Sequence, residues 1–280
     1  MKKWALIIDV AKCVNCNNCV VSCRDEHVDN DFLPYAAAQP RKGHSWIDMH
    51  RKIRGNGPMV DVSYMPVMCN HCDNAPCMKF AGDGSIYKRP DGIVIMDPIR
   101  TKGRQDIVRS CPYKAISWNE ERQVPQIWIF DAHLIDQKWK QPRCVQSCPT
   151  EAMQAILVDD VELKRLVAAE SLEVRKPELG TRPRVFYRNM NRFTKCFIGG
   201  NIVAAHSGGQ ENVNGAVVRV LSGRTQVAEA ITDAFGDFKI DGLDRDSGTY
   251  TVEAQHNLYG TANAAVSLGS SSYLGSLVLT

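Results

Sequence analysis

Apolar and polar positions follow two different rhythms along the chain. Trp4-Ala5-Leu6-Ile7-Ile8-Asp9 is an apolar run of strand length that leads directly into the first cysteines, and it predicts a first strand. Shorter strand-like stretches follow at Gly92–Met96 and Ala115–Trp118. Residues 43–55 alternate loosely and close on Gly55-Asn56-Gly57-Pro58, which predicts an inserted hairpin. Val161-Glu162-Leu163-Lys164-Arg165-Leu166-Val167 has a helical pattern, and Asp159 or Asp160 stands where an N-cap belongs. Lys176–Pro183 is too rich in Pro and Gly for a helix or a central strand.

After Gly199-Gly200 the rhythm changes. Runs of β-formers alternate with turn residues: 216–221, 226–231, 238–240, 249–254, 262–267 and 273–279, broken by Ser222-Gly223-Arg224, Asp233–Asp237 and Gly248. Strands at this even spacing predict an all-β sandwich. The expected division is a cysteine-bearing domain over 1–155, a connector over 156–197 and a sandwich over 198–280.

Composition is that of an ordinary soluble globular chain, with 44% hydrophobic and 23% charged residues in 280. The net charge of +3 hides an asymmetry. Residues 198–280 hold four Lys/Arg against eight Asp/Glu, and residues 1–197 hold 30 against 23. A mildly basic front part suits negatively charged metal clusters or an acidic partner, and scattered surface cations read equally well. No run of 18 apolar residues is present, so no membrane anchor is expected. The N-terminus lacks the pattern of an export signal, which predicts a cytoplasmic chain, or one exported together with a signal-bearing partner. There is no phosphate-binding Gly loop, no Ser/His/Asp arrangement and no basic–aromatic interleaving for nucleic acid, so no catalytic residue is assigned.

Ten of the eleven cysteines lie between Cys13 and Cys148. Cys13, Cys16, Cys19 and Cys23 read C-x2-C-x2-C-x3-C, a run in which three thiolates hold one 4Fe–4S cluster and the fourth serves another. Partners are supplied by Cys69, Cys72 and Cys77, by Cys111 before Pro112, and by Cys144 with Cys148 before Pro149. Disulfides would need a secreted context and would strain four cysteines set within eleven residues. Zinc sites use two C-x2-C pairs rather than this run with distant Cys-Pro partners. Cys196 lies outside every motif and reads as structural. His71, between Cys69 and Cys72, is expected to pack beside cluster sulfurs and tune them.

These motifs resemble the iron–sulfur subunits of the dimethyl-sulfoxide-reductase family of molybdenum and tungsten enzymes. The resemblance implies an α+β fold: a double ferredoxin-like domain in which motifs one and four share ligands, as do motifs two and three. It assigns Cys13, Cys16, Cys19 and Cys148 to one 4Fe–4S cluster, and Cys69, Cys72, Cys77 and Cys111 to a second. A fourth-cluster position carries Ala81, Thr101, Arg104 and Ile107, which implies that this cluster is absent. The remaining position carries Cys23 and Cys144 with Trp128 and Asp131 in place of cysteines. Two readings stay open there: a partial site on Cys23, Asp131 and Cys144 holding a 3Fe–4S or altered 4Fe–4S cluster, or a tryptophan filling the space beside two buried thiols.

The last 80 residues, through Asn214–Val220, Thr232–Phe238 and Gly248–Val252, resemble transthyretin-like and carboxypeptidase regulatory sandwiches. A sandwich of this kind, together with Asn74-Ala75-Pro76-Cys77, Trp118-Asn119-Glu120-Glu121 and Pro177-Glu178-Leu179-Gly180-Thr181, points to family members that serve hydroxyl transfer between polyhydroxylated aromatics. That implies a large catalytic partner subunit carrying molybdopterin, with this chain noncatalytic. The alternative on the same scaffold is an electron-feeding subunit of a net-redox enzyme such as a catechol dehydroxylase.

Overall fold

In the computed structural model, which describes residues 1–280, the chain forms two compact units. The first comprises Met1–Arg51 and Tyr64–Met190, and the second comprises Lys52–Ser63 and Asn191–Thr280.

The first unit is organised by β1 (Lys3–Asp9), whose residues from Trp4 onward are all buried. After it come α1 (Asn18–His27), the hairpin β2 (Asp48–Asn56) and β3 (Met59–Val67), and α2 (Pro76–Ala81). Three short pieces surround the middle cysteines: β4 (Ile86–Lys88) with β5 (Val94–Met96), a 3-10 helix at Gln105–Ser110, and β6 (Ser117–Asn119) with β7 (Val124–Gln126). Then follow α3 (Ala132–Asp136), α4 (Arg143–Gln146), β8 (Met153–Val158), α5 (Asp160–Ala169) and β9 (Val185–Arg188).

The stretch expected as a connector is part of this unit. β8 pairs antiparallel with β1, Lys3 opposite Val158 and Ile8 opposite Met153, and β9 pairs parallel with it, Leu6 opposite Val185. β1 is therefore a central strand, which explains its continuous apolar run. α5 covers one face: Ala5 and Ile7 pack with Leu163, Leu172 and Phe186. Asp159 is its cap, accepting from the N–H groups of Val161 (3.0 Å) and Glu162 (2.9 Å). Among all helices, none is long and apolar enough to cross a membrane.

The second unit begins before the expected boundary. It contains α6 (Asn191–Thr194), β10 (Cys196–His206), β11 (Gly209–Asn212), β12 (Val217–Ser222), β13 (Thr225–Ile231), β14 (Asp237–Leu243), β15 (Thr249–His256), β16 (Gly260–Ser267) and β17 (Ser272–Leu279). One sheet has the order β11-β10-β14 with β17 parallel to β10, and the other has the order β13-β12-β15-β16. Ile198, Ile202, Phe238 and Ile240 of the first sheet and Val218, Val220 and Val252 of the second share one core, so the two sheets form a sandwich.

Gly199 and Gly200, which looked like a break in the sequence, lie inside β10. A Cβ on Gly200 would come within 2.8 Å of the Phe238 ring, and one on Gly199 within 2.1 Å of the Met59 sulfur. The glycines mark close packing. Cys196 is buried in this core.

The outer hairpin residues 52–63 bring Arg54 into the second unit, 2% exposed. Its guanidinium forks onto both oxygens of Asp241 at 2.8 Å and donates to Asp61 at 2.5 Å, and Arg192 also donates to Asp61. Burial alone would raise the Asp61 pKa, but hydrogen bonds from Arg192 and Arg54 and the charge of Lys239 outweigh it and lower it to about 2.

A depressed carboxylate adds stability above its unfolded value and loses it as pH falls through the folded value. The second unit should therefore be insensitive to Asp61 above about pH 4 and lose about 2 kcal/mol as pH falls towards 2. Hydrogen exchange of β10 and β14 amides, corrected for intrinsic rate, measures this step. Asp61→Asn should abolish it.

Candidate metal centres

The first cysteine loop follows β1 and enters α1. Asn15 and Asn17 hold left-handed backbone there (φ 59 and 60), a conformation asparagine adopts with little strain, and so the loop can wrap with Cys13, Cys16 and Cys19 on its inner side. Cys148 arrives from the turn after α4, and its sulfur accepts the Ala152 N–H at 3.3 Å. The four cysteines line one cavity with Met49, Pro66 and Met153. Burial raises the Cys13 thiol, and it pushes Cys19 up to about 12, with Cys13, Cys16 and Cys148 adding to the effect.

Cys69, Cys72, Cys77 and Cys111 gather in the same way. Cys72 and Tyr113 form a buried cluster against Cys77, Cys111 and Ala115. Burial raises Cys69 far above an ordinary thiol, Cys77 to about 12 and Cys72 to about 11, and the neighbouring cysteines raise each of them further. Four thiolates so enclosed would repel each other strongly, so the set suits a positively charged iron core.

All eleven cysteines are free thiols. Nowhere do three His, Cys, Asp or Glu side chains converge closely enough for one metal ion.

The segment 181–184 fastens the second loop, a role that the sequence pattern did not reveal. Asp73 N donates to Arg182 O (2.9 Å), Asn74 N to Thr181 O (3.0 Å) and Arg184 N to Asn70 O (2.8 Å). The Arg184 side chain, 2% exposed, reaches Trp4 O at 2.6 Å, Asp73 at 3.2 Å and Asp160 at 3.1 Å. Lys88 donates to the carbonyls of His71 (2.7 Å) and Cys72 (3.1 Å). Only the clustering of Pro, Gly and Arg after Lys176 hinted at this function.

His71 packs beside Cys69 as expected, its Nδ1 4.0 Å from the sulfur. That Nδ1 accepts the Val94 N–H at 3.0 Å, so Nε2 carries the proton of the neutral ring. Burial, helped by Lys88, lowers its pKa to about 3. The His71 ring lies 5.4 Å from Trp128 and 5.9 Å from Phe130, both fully buried.

At the position with two cysteines, Cys23 and Cys144 are 2% and 1% exposed. Burial and the Asp131 carboxylate raise both thiols well above their ordinary value. Asp131 does not point freely at them. One oxygen bonds His27 Nε2 at 3.0 Å, and the other accepts the Arg143 N–H at 2.7 Å, the first amide of α4. Both side chains of the His27–Asp131 pair are buried, at 0% and 1% exposure. At the fourth position Thr101 and Ile107 are buried, Thr101 bonding Asp97 O at 2.6 Å, while Arg104 turns outward to Asp106 and Asp83. No thiol is offered there.

Residues 60–157 match the 4Fe-4S dicluster domain family. The chain is 42% identical over 256 residues to the pyrogallol hydroxytransferase small subunit of Pelobacter acidigallici, covering 90% of both chains. It is 31% identical to a tetrathionate reductase subunit of Salmonella typhimurium, over 68% of this chain and 73% of that one. It is 28% identical to the arsenate respiratory reductase iron–sulfur subunit of a Shewanella species, over 66% and 95%.

Proposed function

The chain belongs to the family of iron–sulfur subunits that includes the pyrogallol hydroxytransferase small subunit, and from that membership we propose that it serves a hydroxyl-transferring molybdopterin enzyme as its noncatalytic small subunit. Its partner is a large subunit that carries the molybdopterin and the substrate pocket. The substrates are polyhydroxylated aromatics. The observation that carries this reading is the 42% identity across 90% of both chains, whereas the reductase subunits match about two thirds of this one.

Within the chain, Cys13, Cys16, Cys19 and Cys148 hold one 4Fe–4S cluster, and Cys69, Cys72, Cys77 and Cys111 hold a second, in a double ferredoxin-like arrangement. Bound there, such clusters accept and release single electrons. The residues around them insulate and fasten: His71, neutral and buried, presents no charge to the second set, and Arg184 and Lys88 tie down its loop. The position of Cys23, Asp131 and Cys144 is read as filled by protein, because both Asp131 oxygens are already bonded. With that position closed and the fourth lacking thiols, the chain suits a reaction that is redox-neutral overall. The complex is proposed to work in the cytoplasm.

The test is turnover of the native complex, purified without oxygen, on a polyhydroxylated benzene donor and acceptor. Hydroxyl transfer that consumes no electrons per product is expected. A requirement for one electron pair per product would overturn the proposal and establish the catechol dehydroxylase reading.

A further inference from the structure

We propose that the face formed by α2 and the 3-10 helix Gln105–Ser110 docks an acidic, soluble one-electron carrier protein. The proposal rests on the reading that Cys69, Cys72, Cys77 and Cys111 hold a redox-active cluster. Two of those cysteines belong to this face: Cys77 lies in α2 and Cys111 follows the 3-10 helix, both only half-buried. The half-buried Cys77 and Cys111 bring this set close to the surface, and the fourth position offers no thiol.

The face has the two properties of an electron-transfer contact. It carries exposed apolar side chains: Phe80 of α2 is 41% exposed, and Ile99, in the turn before the 3-10 helix, 67%. The Arg109 guanidinium lies over the Phe80 ring at 5.7 Å, the aromatic–arginine pairing that anchors many interfaces. Its rim is basic. Lys79, Lys102 and Arg109 are exposed and make no ion pair within 4 Å, and Arg100, also exposed, donates to the carbonyls of Gly84 (2.8 Å) and Asp83 (2.5 Å).

The acids of the segment pair with Arg104 or accept backbone amides, and Asp106 also feels the charge of Arg109. Asp83 and Asp106 both pair with Arg104, at 3.6 Å and 3.0 Å, and Asp97 accepts from the Ile99 and Arg100 amides. Cations in excess of these acids around an exposed aromatic attract an acidic partner over long range and hold it briefly, as turnover of a carrier requires. The carrier chemistry that fits is a small acidic iron–sulfur or flavin protein.

The electron balance is simple. The reduced carrier gives up one electron, the cluster on the four cysteines gains it, and no bond or proton changes hands. A reaction that is redox-neutral overall still needs its metal centre set to one oxidation state before the first turnover, and this face would admit the electrons that set it.

The experiment uses the native complex under anoxic conditions, with a reduced acidic 2Fe–2S ferredoxin as probe. Stopped-flow absorbance follows cluster reduction, and fluorescence anisotropy follows binding of the oxidised probe. The double variant Lys79→Glu/Arg109→Glu should lower the second-order rate and the affinity at least about tenfold, and raising salt should do the same to the native complex. Reduction by dithionite should be unchanged, as should a control variant on α5, Lys164→Glu/Arg165→Glu. Equal ferredoxin rates for variant and native complex would overturn the proposal. Loss of the catalytic subunit from the variant on gel filtration would overturn it too, by making this face the subunit interface. Absence of any dithionite-reducible iron would sink the cluster reading itself, and the docking proposal with it.

Discussion

Alanine at Cys111 should cut the iron content from about eight atoms per chain to about four, and alanine at Cys148 should remove the other four. Each set gathers cysteines from distant segments: Cys111 joins a loop that ends at Cys77, and Cys148 joins one that ends at Cys19. A site assembled this way contributes its binding free energy to folding, so losing one ligand should loosen both segments it joins. The loss should be larger than for any other single side chain in the first unit. Anoxic purification with iron and sulfide analysis reads the stoichiometry, and limited proteolysis reads the loosening. Cys196→Ala is the control. Its thiol lies in the sandwich core, so iron should stay at the native level. Zinc in place of iron, or equal iron loss from the Cys196 and Cys111 variants, would defeat the assignment.

The cysteine motifs were legible because ligand spacing is local. A loop of two residues between thiols constrains geometry wherever the segment sits in the fold. β1 and the later strands of the sandwich were legible for the same reason, each a short run of β-formers between turns. What sequence reading missed is long-range. The stretch 156–197 looked like a connector because its Pro and Gly disguise β9, whose partner is β1, far away in the chain. Arg184 is one arginine among many in the sequence, yet it joins Trp4, Asp73 and Asp160. Gly199-Gly200 marked only a change of rhythm, since a glycine that admits a neighbouring side chain looks the same in sequence as one that relaxes a loop. Only the positions of Phe238 and Met59 tell the two apart.

The position of Cys23 and Cys144 offers the converse test, a gain rather than a loss. In the alignment implied by the resemblance, Trp128 and Asp131 occupy two ligand places there, and the structure keeps Asp131 beside both thiols. The double substitution Trp128→Cys/Asp131→Cys restores four thiols and should raise iron from about eight to about twelve atoms per chain, with a third reducible centre in electron paramagnetic resonance. Asp131→Ala alone should behave differently. It strands His27 in the interior and uncaps the first amide of α4, and breaking a buried pair of this kind costs about 3 kcal/mol. Iron should nevertheless stay at about eight, because both Asp131 oxygens already bond His27 and the Arg143 amide. If Asp131→Ala instead lost iron, or if the oxidised native protein gave a 3Fe–4S signal that this variant lacked, Asp131 would be a ligand. The chain would then carry a continuous row of centres, and the argument for a redox-neutral reaction would fail with it.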